Sequence, residues 1–249
     1  AAGLIVMIKP QLALLLVWGL LRRHWSFSAA LAGTSGIALL MSVSFYGLSN
    51  HTNYLDVLSY ISRRGEAFYP NQSVNGLLNR LLETGPNAEF QPGAFPESDP
   101  VVYAGTIGTS VLLVAFAIFW RWRDAGRDTT LDLCIASLTF TIASPIAWEH
   151  HYGVMPPMFA IALAAMLRWP VFGRWTVAYL AVAYVLCANF LQFTVRFADT
   201  PVLTPLQSYL LAGALMVLVA FYSLRAAAAQ GPHSRASEPV AEPQPAVSG

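Results

Sequence analysis

This chain is dominated by a series of apolar runs about as long as a bilayer is thick. A membrane-crossing helix needs about 20 mostly apolar residues. Runs of that order without Asp, Glu, Lys or Arg cover 26–48, 103–120, 175–195 and 202–224. Two shorter runs, 130–147 and 153–167, are read as apolar in the same way; they flank Trp148-Glu149-His150-His151 and suggest a helical hairpin with a tight polar turn. Residues 1–21 form one more apolar stretch, interrupted by Lys9-Pro10. Proline removes a backbone donor and disfavours helix at the preceding residue, so this stretch reads as a broken helix. Only 11% of the residues are charged, too few to coat a soluble domain. The expected fold class is therefore all-α, a polytopic transmembrane helix bundle. The chain opens inside an apolar run at Ala1-Ala2-Gly3-Leu4, which reads as the C-terminal part of a longer chain.

Lys and Arg placement orients the bundle, because short cytoplasmic loops collect positive charge. Arg22, Arg23, Arg121, Arg123, Arg127, Arg168, Arg174 and Arg225 fall on one set of connectors, and Arg63, Arg64, Arg80 and Arg196 on the other. The first set should be cytoplasmic. The loop 49–102, the turn 148–152 and the connector 196–201 then face outward. Within 49–102, the segments 53–62 and 73–82 carry Leu, Ile and Val at helical spacing, with Asn71 or Ser73 as a cap for the second. Both read as short amphipathic helices lying on the membrane surface. The tail 226–249, rich in Ala, Pro, Ser and Glu, cannot bury a core and should be disordered in the cytoplasm.

Polar residues at membrane depth are costly and point to function. Three groups stand out, all expected at the outer side. In Ser144-Pro145-Ile146-Ala147-Trp148-Glu149-His150-His151-Tyr152, a histidine can move a proton or neutralise a phosphate, and Glu149 can act as base or orient a histidine. The same turn also reads as an interfacial bend with Trp148 and Tyr152 as belt aromatics. Lys9 is a point-charge partner for an anionic headgroup, or a lysine snorkelling at a helix end. Asn71, Gln72, Ser73 and Asn75 carry the amide and hydroxyl groups that read sugar hydroxyls, with Arg80 close behind as a second phosphate partner; the competing reading is a capped helix with a solvated face. Glu149, His150 and His151 cannot converge on one ion from a regular helix, so no metal site is expected. The net charge of +1 suggests no nucleic-acid partner, and there is no Gly-rich nucleotide loop. Ionisable groups are essentially missing from the middles of 26–48, 103–120 and 202–224, which argues against a transporter with a midplane ion site.

Taken in order, Ile8-Lys9-Pro10-Gln11 with Leu21-Arg22-Arg23-His24-Trp25, then Asn71-Gln72-Ser73-Val74-Asn75-Gly76, then the Ser144–His151 turn, resemble glycosyltransferase family 87, of the membrane-embedded GT-C class. The resemblance spans roughly residues 3–170. It implies an enzyme that moves a sugar, mannose in the best-known cases, from a polyprenyl phosphate to a glycolipid or glycan acceptor. The reaction would take place on the outer face of a bacterial cytoplasmic membrane, with inversion and with no cofactor beyond the lipid-linked sugar. In that family the presumed base is an aspartate in an earlier outer loop; Asp56 lies in a later loop and does not take its role. Catalytic roles then fall to His150, His151 and Glu149, and substrate binding to Lys9, Asn71, Gln72, Ser73, Asn75 and Arg80. The competing class is a transporter or flippase for lipid-linked sugars.

Overall fold

The computed structural model describes residues 2–93, 95–120, 129–188, 191–198, 200 and 202–229. The basic positions Arg121, Arg123 and Arg127, and the tail from 230 onward, lie outside the described residues. Ten α-helices follow one another: α1 Ala2–Ile8, α2 Leu14–Leu21, α3 Trp25–Tyr46, α4 Leu48–Arg64, α5 Val74–Leu81, α6 Pro100–Phe119, α7 Thr129–Ile142, α8 Met155–Arg168, α9 Thr176–Ala188 and α10 Tyr209–Ala229. No strand occurs among the described residues; the one extended pairing is an antiparallel bridge between Asn71 and Trp148.

Among the described residues, three helical segments are long and apolar enough to cross a membrane: Trp25–Tyr46, Pro100–Phe119 and Thr204–Ala229. The protein is an all-α membrane helix bundle. The first helical stretch breaks at Lys9, whose extended backbone (φ −130°, ψ 86°) precedes a 3-10 turn opened by Pro10. Proline cannot donate a backbone bond to the preceding turn, so α1 and α2 are separate rods. The α10 helix continues to Ala229, four residues into the segment read as a disordered tail.

The largest core lies where α7, α8, α9 and α10 pack, with Leu138, Ala162, Ala183, Val217 and Phe221 inside it. Small residues allow close approach: a Cβ added at Gly213 would lie 2.6 Å from Cys187 Sγ. A second cluster joins Leu12, Leu15 and Trp18 of the broken helix to Leu31, Ile118, Ala136 and Phe140.

The reading of 130–147 as one more apolar run passes over Asp132, and the structure shows what that residue does. Arg22 Nε donates to Asp132 Oδ2 at 2.7 Å, and Arg225 Nε to Oδ1 at 3.4 Å. Arg22 also donates to the carbonyls of Ile118 (2.9 Å) and Trp120 (3.1 Å). This buried triad ties the C-terminal ends of α2, α6 and α10 to the start of α7. Arg22 and Arg225, assigned to one side by the charge rule, therefore stand together at one end of the bundle.

At the other end, α7 stops at Ile142, and residues 143–148 continue without helix before the 3-10 turn Glu149–Tyr152. The 14 described residues of α7 span about 21 Å of a hydrocarbon core about 30 Å thick. Non-helical backbone at such depth persists only where protein satisfies its polar groups. Asn71 and Ser73 supply that here. Asn71 Nδ2 and Ser73 Oγ both donate to the Pro145 carbonyl, Ala147 N–H donates to Asn71 Oδ1, and Gln72 N–H donates to the Ala147 carbonyl.

The two loop helices compare differently with the surface-helix expectation. α4 is longer than the segment 53–62 and buries no residue. α5 is capped by Ser73, whose Oγ accepts from Gly76 N–H, but its polar side faces inward. Asn75, Asn79 and Arg80 are at most 1% exposed, whereas Leu81 is 42% exposed. Helical periodicity identifies two faces without saying which one meets protein.

Candidate active site

The site is built on the hairpin 65–72. Gly65 adopts φ +66°, a left-handed backbone favoured by glycine, and a Cβ there would lie 1.6 Å from Asn75 Oδ1. The turn thus presses directly on α5, and Asn75 Oδ1 accepts the Glu66 backbone N–H. Gly76 makes room in the same way, since a Cβ there would lie 2.2 Å from the Asn71 carbonyl. Arg80 closes the structure. Its Nη1 donates to the carbonyls of Ala67, Phe68 and Asn71, and its Nη2 to Ser208 Oγ just before α10. Gln72 reaches the same place: Nε2 donates to the carbonyls of Tyr69 and Gln207, and Oε1 accepts from Leu210 and Leu211 N–H. It thereby caps the first turn of α10.

These contacts change the employment expected of Asn71, Gln72, Ser73, Asn75 and Arg80. All five are buried, and their polar atoms are bonded almost entirely to protein. They set the geometry of the hairpin and the turn rather than presenting groups to a sugar. Arg80 is 1% exposed, and its Nη1 is held by three carbonyls, while its Nε has no hydrogen-bond partner among the described residues.

The open face of this assembly is a cavity of 570 Å³ lined by Phe68, Pro70, Trp148, Glu149, His150, Cys187, Ala188, Tyr209 and Leu210. Three segments far apart in sequence meet there: the hairpin, the 148–152 turn, and the facing ends of α9 and α10. Tyr209 donates its hydroxyl to Glu149 Oε1, and Trp148 donates its indole N–H to Glu66 Oε2. Burial pushes both carboxyls above their ordinary range; hydrogen bonds from Trp148 and Tyr209, and the Arg80 charge near Glu66, pull the other way. His150 is exposed at the cavity, its ring 4.3 Å from that of His151.

His151 has a different setting. Its Nδ1 accepts the Trp148 backbone N–H at 3.1 Å, which leaves the ring proton on Nε2. Burial, and then the charges of Lys9 and His150, lower its pKa to about 4, so it is neutral near pH 7. The Lys9 influence puts the break in the first helical stretch within electrostatic reach of the turn. Lys9 Nζ is buried and has no hydrogen-bond partner among the described residues. Of the positions singled out from sequence, Lys9, Glu149, His150 and His151 therefore gather around one turn. Glu66 and Tyr209 were missed. Glu66 follows a glycine and precedes an aromatic-rich stretch in an outer loop, a weak signal; Tyr209 carried none beyond its place at the head of an apolar run.

The comparison with known families decides the relationship: the sequence model of glycosyltransferase family 87 matches residues 1–145. The chain belongs to glycosyltransferase family 87. Membership covers the broken helix, the hairpin 65–72 and α5, and ends at the start of the turn. Among curated family relatives, a polyprenol-phosphate-mannose-dependent alpha-(1-2)-phosphatidylinositol mannoside mannosyltransferase from Mycobacterium tuberculosis is 27% identical over 171 residues. That match covers 67% of this chain and 36% of the relative, so the chain spans about a third of the relative's length. No solved structure matches the chain. No group of three His, Cys, Asp or Glu side chains that could hold a metal ion occurs among the described residues.

Proposed function

We propose that this protein is a membrane glycosyltransferase that moves a sugar from a polyprenyl-phosphate donor to a glycolipid or glycan acceptor. Mannose is the sugar suggested by the printed activity of the relative. The reaction takes place at the end of the bundle carrying the hairpin and the turn, which by the charge rule faces outward from a bacterial cytoplasmic membrane. The observation that carries this reading is Lys9: a buried amino group without a hydrogen-bond partner among the described residues, at a break between two membrane helices and within electrostatic reach of the neutral His151 imidazole. A buried amine holds its proton poorly unless an anion is close, and a donor phosphate would supply that anion.

The donor's hydrocarbon has a matching place. A mainly apolar groove of 610 Å³ runs between the broken helix and α3, lined by Val6, Met7, Pro10, Ala13 and Leu39. Pro10 puts its head next to Lys9. With the phosphate at Lys9 and His151 Nε2–H, the anomeric carbon would lie toward the turn. An acceptor hydroxyl attacks that carbon in line, the carbon–oxygen bond to phosphate breaks, and the configuration inverts. The hydroxyl proton passes to a carboxylate. Glu149 has one oxygen held by Tyr209 and the other without a hydrogen bond among the described residues, so it can receive or orient that hydroxyl.

The test is reconstitution of the full-length protein in liposomes with polyprenyl phosphate carrying labelled mannose and a phosphatidylinositol mannoside. Label on the acceptor supports the reading. Label that changes leaflet while staying on polyprenyl phosphate identifies a transporter and overturns it.

A further inference from the structure

The cavity at the turn carries more information than the position of the reaction. Among the described residues, its lining contains one carboxyl group, one imidazole and one phenol, with Trp148, Phe68, Pro70 and Leu210 around them, and no lysine or arginine. A phosphate would meet the Glu149 carboxylate without a compensating fixed cation, so an anionic headgroup does not suit it. A purely aliphatic chain would leave Glu149 and Tyr209 facing hydrocarbon. The complementary ligand is neutral, with an apolar face on one side and hydroxyls around its edge. A pyranose ring has that form.

Trp148 is built as a fixed wall. Its backbone is bridged to Asn71, and its indole N–H is held by Glu66. Phe90 and His150 stand nearly perpendicular to the ring, with interplanar angles of 86° and 89° and centroids at 5.6 Å and 5.8 Å. A ring already locked in place loses little freedom when a ligand packs on it. The cavity volume of 570 Å³ lies within the range of small-molecule sites, about 300–1,000 Å³.

We infer that this cavity is a pyranose subsite, in which a sugar ring packs on the Trp148 indole and places a hydroxyl on Glu149. The inference rests on the glycosyltransferase reading for its choice of a sugar over other neutral ligands. The ring belongs either to the acceptor or to the donor, and the experiment separates the two. Steady-state transfer by the full-length enzyme is measured with polyprenyl-phosphate-mannose as donor and octyl α-mannoside as acceptor, for the parent, Trp148→Ala and Trp148→Phe. Trp148→Ala should raise one KM about tenfold, the size of one lost aromatic contact, with a smaller change in kcat. Trp148→Phe should restore most of it. A rise in the octyl mannoside KM assigns the acceptor sugar; a rise in the donor KM assigns the donor sugar. Ala188→Trp, which fills the cavity without removing the wall, should raise the same KM and serves if Trp148→Ala does not fold. Both KM values unchanged within about twofold in these variants would overturn the inference. Direct binding of octyl α-mannoside to parent and variants is read independently of turnover. A parent that binds the mannoside through Trp148 but transfers no sugar would sink the transferase reading alone.

Discussion

Replacing Asp132 with leucine is expected to remove about 3–5 kcal/mol of stability, the cost of leaving buried charge uncompensated. Asp132 accepts from Arg22 and Arg225, and all three residues are at most 5% exposed. Without the carboxylate, Arg22 loses its ion pair and Arg225 loses one of its partners where α2, α7 and α10 converge. Because typical domains are stable by only about 5–15 kcal/mol, a loss of this size removes much of the margin. The measurements are the thermal midpoint in detergent and the amount of folded protein recovered from membranes. The double replacement Arg22→Met with Asp132→Leu should recover part of the loss, since it removes the pair together and leaves no Arg22 charge stranded. A single Asp132→Leu variant with the parent's midpoint would show that the triad does not hold the bundle together.

The second large effect is on turnover. With His150 and His151 both changed to alanine in the full-length enzyme, sugar transfer should fall by roughly 100-fold or more while the protein stays folded. His150 supplies an imidazole at the cavity, and His151 an Nε2–H within electrostatic reach of Lys9. In the proposed reaction the pair serves both the sugar and the phosphate. Some structural loss is also expected, because His151 Nδ1 holds the Trp148 N–H; His151→Asn retains a side-chain acceptor and separates the two contributions. Undiminished transfer by the double alanine variant would remove the turn from the reaction.

Length and hydropathy made α3, α6 and α10 readable, because a helix that crosses a bilayer has no other way to satisfy its backbone. Ser73 was readable as a cap, since a hydroxyl before an apolar helical pattern has a local role. The inward polarity of α5 was not readable. Its Asn and Arg side chains serve backbone at 67–72, 64 and the Ser208 hydroxyl, partners fixed only by tertiary structure. Asp132 was obscured by its apolar neighbours, although an acidic residue in such a run is itself a sign of a buried partner. Lys9, Glu149, His150 and His151 could be singled out because charge and imidazole are scarce in this chain. Glu66 could not be linked to Trp148, 82 positions away, without the Asn71–Trp148 bridge that brings the segments together.

The central claim is that sugar transfer occurs in the hollow between the 65–72 hairpin and the Trp148–His150 turn, on the outward face. It is tested most directly by placing a cysteine at Ala188, an exposed position on the wall of that hollow, in a Cys187→Ser background of the full-length enzyme. A bulky, membrane-impermeant thiol reagent added to right-side-out vesicles should abolish most of that variant's own transfer activity, and prior octyl α-mannoside should slow the loss. Complete modification with the transfer rate unchanged, or modification only in inverted vesicles, would contradict the account.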